Sequence, residues 1–127
     1  MKKIFGKTLG IFTAVLLIMS VTLAMAYTGT ATLTWTPPTT FTDGTPLIPA
    51  TDISSYKIYS GTSPGIYGTP AIVTGGTTTT YMMTIGTGTT YFALSVVGMN
   101  GLESVKSSEV SKTITAPAPS GCSLSVQ

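Results

Sequence analysis

The chain has 127 residues, six lysines, no arginine, four carboxylates and no histidine, with a formal net charge of +2. Lys2, Lys3 and Lys7 lie at the N-terminus, so residues 27–127 set Lys57, Lys106 and Lys112 against Asp43, Asp52, Glu103 and Glu109, one net negative charge. A near-neutral surface has no electrostatic footprint for phosphates, which argues against nucleic acid as a partner. The absent histidine and single cysteine remove the usual zinc sites and the Ser-His and Cys-His nucleophile systems.

In chain order, the three lysines precede an apolar run from Leu9 to Leu23 and then Ala24-Met25-Ala26. That is the charged, apolar, small-x-small order of a secretory signal peptide, and cleavage is expected after Ala26. An uncleaved membrane anchor is the alternative, since the run approaches the ~18 apolar residues of a spanning helix. No cysteine follows the small residues, so a lipoprotein anchor is not expected. The expectation is export to the periplasm, cell surface or medium, with no membrane span left after cleavage.

Residues 27–115 read as one all-β domain, with turn signals at sandwich spacing. Thr30 to Thr36 alternates Ala31, Leu33 and Trp35 with threonine and stops at Pro37-Pro38, because proline cannot donate to a ladder. A loop over 39–52 carries Asp43-Gly44, Pro46 and Pro49. Ile53 to Ser60 predicts a second strand, with Tyr56 and Ile58 on one face, closed by the turn Gly61-Thr62-Ser63-Pro64-Gly65. Ile66 to Thr74, interrupted by Pro70, predicts a weak edge strand. Gly75-Gly76 leads into a strand over Thr78 to Ile85, and Gly86-Thr87-Gly88 into an apolar one over Thr90 to Met99. Asn100-Gly101 predicts a type I′ hairpin turn, and the last strand is expected from Ser107 to Thr115. No segment after the leader has helical periodicity.

Ordered together, several pieces resemble a family. They are Trp35 before Pro37-Pro38, Asp43-Gly44-Thr45-Pro46-Leu47, Tyr56-Lys57-Ile58-Tyr59 leading into Gly61-Thr62-Ser63-Pro64-Gly65-Ile66-Tyr67, Ile85 six before Tyr91, Gly101-Leu102-Glu103-Ser104, and Ser108-Glu109-Val110. From Thr30 to Thr115 the chain resembles a fibronectin type III domain of the exported bacterial kind. The resemblance implies an immunoglobulin-like antiparallel β-sandwich of about six to seven strands. Its core would hold Leu33, Trp35, Tyr56, Ile58, Tyr91, Phe92, Leu94 and Val96, with Tyr91 forming a tyrosine corner against the Ile85 to Gly88 connection. Counting by twos from Tyr91 conflicts with the apolar set Phe92, Leu94 and Val96, so a bulge or distorted corner is expected near Tyr91. Tyr27 to Gly29 is too short for an ordinary first strand, so one sheet is expected to have a short or missing edge strand and an unpaired ladder able to accept another chain.

Catalytic readings find little support in these residues. Ser54-Ser55-Tyr56-Lys57 matches Ser-x-x-Lys, but a strand sends residues three apart to opposite faces and the companion motifs are missing. Asp43, Asp52, Glu103 and Glu109 are read as solvated or turn-forming rather than as a paired-carboxylate centre, and Asp43 and Asp52 lack a calcium-loop pattern. No catalytic, cofactor or metal residue is therefore assigned. Tyr59, Tyr67 and Tyr81 are candidates for a binding surface, since flat rings on a β surface stack on sugars or anchor proteins.

Ala116-Pro117-Ala118-Pro119 is a stiff linker by composition, opening a tail over 116–127 that contains Cys122. That thiol is either a dangling cysteine, part of a sorting signal cut short, or a cross-link between two chains or a modification site. The functional expectation is a secreted, non-enzymatic module for protein binding, spacing or surface assembly, its partner an unknown protein or polysaccharide. The competing expectation is a carbohydrate-binding accessory of an exported polysaccharide-degrading system.

Overall fold

The computed structural model describes residues 27–121, 123 and 125; the leader and Cys122 lie outside them. Six strands and one helical turn follow in order: β1 (Thr28–Thr34), α1 (Pro49–Asp52), β2 (Ile53–Gly61), β3 (Ala71–Thr74), β4 (Thr80–Gly86), β5 (Gly88–Gly98) and β6 (Val110–Ile114). They form two antiparallel sheets, one ordered β1-β4 and the other β3-β2-β5-β6. The fold is an all-β sandwich. Among the described residues no helix is long and apolar enough to cross a membrane.

Alternation explains the layers. In β4, Tyr81, Met83 and Ile85 turn inward while Thr80, Met82 and Thr84 are exposed. Across from them in β1, Gly29, Ala31 and Leu33 turn inward and the threonines outward. Ala31, Ile85 and Phe92 form a buried cluster that joins the two sheets, with Leu33, Met83 and Ile114 packed against it. In the larger sheet Tyr56 is fully buried and Ile58 is 1% exposed; each such side chain contributes roughly 1.5–3 kcal/mol by leaving water. The Tyr56 hydroxyl donates to the carbonyl of Gly76 at 2.6 Å. Trp35 packs against Tyr56 at 5.1 Å between ring centroids with the rings tilted by 55°, and its indole N–H is buried without a hydrogen-bond partner among the described residues.

The register of β2 against β5 runs without interruption from Ser55↔Val97 to Gly61↔Tyr91. Tyr56, Ile58 and Ser60 thus share the inner face with Val96, Leu94 and Phe92, and Lys57, Tyr59 and Gly61 share the outer face with Ser95, Ala93 and Tyr91. This corrects two expectations. Tyr91 is not in the core: it is half-buried on the outer face, opposite Gly61 and Ser111. No hydrogen bond among the described residues joins it to the Ile85 to Gly88 connection, so the corner is absent. The β2–β5 pairing also has no bulge near Tyr91; its register shifts between Ile53 and Ser55 instead.

The irregularity lies along the other side of β5. Eight residues, Glu103 to Val110, lie opposite six, Val97 to Phe92, with pairings at Glu103/Val97, Ser104/Val96, Ser107/Leu94 and Val110/Phe92. Two residues twice oppose one, which are two successive bulges. The β5–β6 turn differs from expectation too. Gly101 donates to the Gly98 carbonyl at 2.9 Å and Gly98 to the Leu102 carbonyl at 2.9 Å, while only Gly101 has positive φ, at 81°. This is a three-residue hairpin loop closed by a left-handed glycine, not a two-residue I′ turn.

Candidate functional site

Two regions carry the side chains and surfaces that could act. The first is the outer face of β2 and β5, which side chains of the strap 103–109 reach from its place along the far edge of β5. Glu103 accepts from Lys57 Nζ at 2.6 Å, from Ser95 Oγ at 2.6 Å and from the Tyr59 hydroxyl. Those donors, Lys57 foremost, hold its carboxyl down to about 2. The same pairing raises Lys57 above the usual ammonium value and Tyr59 above the usual phenol value. Six residues on, Glu109 accepts from the Tyr67 hydroxyl and from the Gly65 N–H at 2.7 Å, which lowers Glu109 and raises Tyr67. Both glutamates are staples, Glu103 from the strap to β2 and β5 and Glu109 from the strap to the β2–β3 turn, because each carboxylate gathers strong donors.

The strap brings Tyr59 and Tyr67 together, with ring centroids 6.0 Å apart. Bulging aims Lys106 over the Tyr59 ring at 4.4 Å, a cation–π contact. Both hydroxyls and one face of Tyr59 are thus already engaged. Tyr81, the third tyrosine named from sequence, is elsewhere, facing inward on β4 opposite Leu33. Ser54 donates to the Val97 carbonyl at 3.1 Å while Lys57 holds Glu103, so the Ser-x-x-Lys pair has separate partners. Asp43 accepts from Thr45 N–H and Oγ1 at 3.0 and 2.7 Å, and Asp52 from the Ile48 N–H at 2.7 Å. Both serve local turns. No group of three metal-ligating side chains occurs among the described residues.

The second region is an edge. β1 pairs with β4 on one side only, and β6 with β5 on one side only; among the described residues no strand covers the other edge of either. Between these edges runs a furrow of about 280 Å3, walled by Ala31 to Thr34 on one side and Val110 to Lys112 on the other, with Phe92 in it. A second hollow of about 200 Å3 shares Leu33, Thr34, Phe92 and Val110 and extends it to Trp35, Leu94 and Ser107. Val110 is 57% exposed here, although it pairs with the buried Phe92. Val110 of the larger sheet, and in part Leu33 of the smaller, are therefore left open beside a ladder that no described residue pairs.

Sequence reasoning anticipated the bare edge but missed the glutamate staples. Their only signal was two glutamates six apart, each beside a serine, in a chain with few charges. No protein family, no curated protein and no solved structure matches this chain.

Proposed function

We propose that this chain is an exported, non-enzymatic module of the fibronectin type III kind, which binds a protein strand along the free edge of β1. The order β1-β4 facing β3-β2-β5-β6 supports that family reading, since it is the arrangement of a seven-strand sandwich without its first strand. One observation carries the function: an antiparallel edge that no described residue pairs, beside a furrow between the sheets lined by both apolar and polar side chains. Backbone N–H and C=O groups along such an edge give affinity to an added strand, and the hollows beneath give it side-chain selectivity. The four carboxylates are occupied with turns and staples, which supports a role in binding rather than catalysis.

A second reading, carbohydrate binding, is favoured by the meeting of Tyr59 and Tyr67. It is the weaker one, because Lys106 covers a face of Tyr59 and both hydroxyls are tied to glutamates. Peptide display on the immobilised protein separates the two. Edge binding predicts enrichment of extended segments with alternating apolar residues, lost on Val110→Asp. Retention on insoluble polysaccharide, lost on Tyr59→Ala and unaffected by Val110→Asp, would replace this reading with the second.

A further inference from the structure

We infer that the strand seated in the furrow is residues 122–127 of a second copy of this chain, so that copies join head to tail; this rests on the reading of the β1 edge as a strand acceptor. The furrow asks for an extended segment with apolar side chains at alternate positions, to cover the exposed Val110 and the half-buried Leu33, and polar ones between, to continue the threonine face of β1. Residues 122–127 read Cys-Ser-Leu-Ser-Val-Gln. Apolar and polar side chains alternate there without a charge, a glycine or a proline, and β1 offers seven residues for those six. Exposed Lys112 lines one wall and sets an ammonium beside any occupant of the furrow. The oxygens of serine and glutamine can meet it.

The linker decides between the chain's own tail and a partner's. The β6 end adjoins the β1 start, where a Cβ on Gly29 would meet Ile114 Cδ1 at 2.6 Å. Residues 116–119 are exposed and, with two prolines, favour an extended spacer that would lead the chain away at about 3.1 Å per residue, roughly 12 Å. Returning through 122–127 at about 3.3 Å per residue, the tail would spend some four residues regaining the edge and pair only about two. A neighbouring copy takes all six. Donor tail and acceptor furrow are different surfaces, so the contact is heterologous and propagates.

Sedimentation of the full chain should show mass rising with concentration through multiples of one chain. Leu124→Asp and Val110→Asp should each weaken association about tenfold or more, with unchanged circular dichroism, since one lies in the tail and the other is exposed. Mixed together, the two variants should form one-to-one pairs and grow no further, because one keeps only its furrow and the other only its tail. Cys122→Ser should assemble as the unaltered chain does. Assembly that survives Leu124→Asp, or that is lost with Cys122→Ser, overturns the inference. A chain that stays monomeric while alternating peptides still bind its edge overturns the self-joining alone; one that stays monomeric and binds none removes the edge reading as well.

Discussion

The two sheets treat their polar backbone and apolar faces differently. In the larger sheet the inner face of the β2–β5 pair packs toward β1 and β4, and on the outer face Glu103 of the strap caps Ser95, so Tyr56, Ile58, Phe92 and even Ser95 are at most 2% exposed. Among the described residues the smaller sheet has two strands, an outer row of exposed threonines and an uncovered edge, and its buried hydrophobics are Ala31 and Ile85. One sheet concentrates stability and the other keeps surface free for contact. Local opening should follow that division, because segments with few buried contacts open at lower free energy.

The contrast breaks most severely in the larger sheet. Tyr56→Ala removes a fully buried ring and should cost about 3–5 kcal/mol, read from a denaturant midpoint. Gly76→Ala comes next: a Cβ there would lie 1.7 Å from the Pro49 carbonyl oxygen and 2.8 Å from Ile53 Cβ, and forced repacking of this kind costs about 1–3 kcal/mol. A pH titration of stability sharpens the picture of the strap. Glu103 is held below the ordinary carboxylate value of 4.5, at about 2. Its pairing therefore adds stability above 4.5 and forfeits it as the pH falls toward 2. Glu103→Gln should flatten that part of the acid-unfolding curve relative to the unaltered chain. On the smaller sheet Met82, 65% exposed on the outer face, should tolerate threonine within about 0.5 kcal/mol.

Period-two alternation made most of this fold legible. Ala31 and Leu33 in β1, and Tyr56 and Ile58 in β2, carry the inward face in sequence as in structure. Boundaries moved where threonine and glycine carry no facing preference: β1 starts at Thr28 rather than Thr30, and β5 at Gly88 rather than Thr90. The helical turn at Pro49–Asp52 was hidden in a proline-marked loop, where Asp52 reaches back to the Ile48 N–H. At Tyr91 the spacing from Ile85 and the larger apolar set Phe92, Leu94 and Val96 point to opposite faces, and burial of Phe92 sets the register with Tyr91 outward. The strap was illegible for a plainer reason. Leu102, Val105 and Val110 fit no period, and all three are exposed; what holds the segment is side-chain hydroxyl and carboxylate chemistry, which hydrophobic patterning does not report.

Ser104 and Ser107 give that segment a further property. Each donates its N–H to β5, at 2.8 and 2.7 Å, and accepts the opposing β5 N–H on its hydroxyl at 3.0 Å. Between these two clasps stands Val105, 91% exposed, a site open to a protease. Cleavage there would leave each new end fastened by its own serine and its own glutamate, so a nicked molecule should migrate as one particle until denaturant parts the fragments.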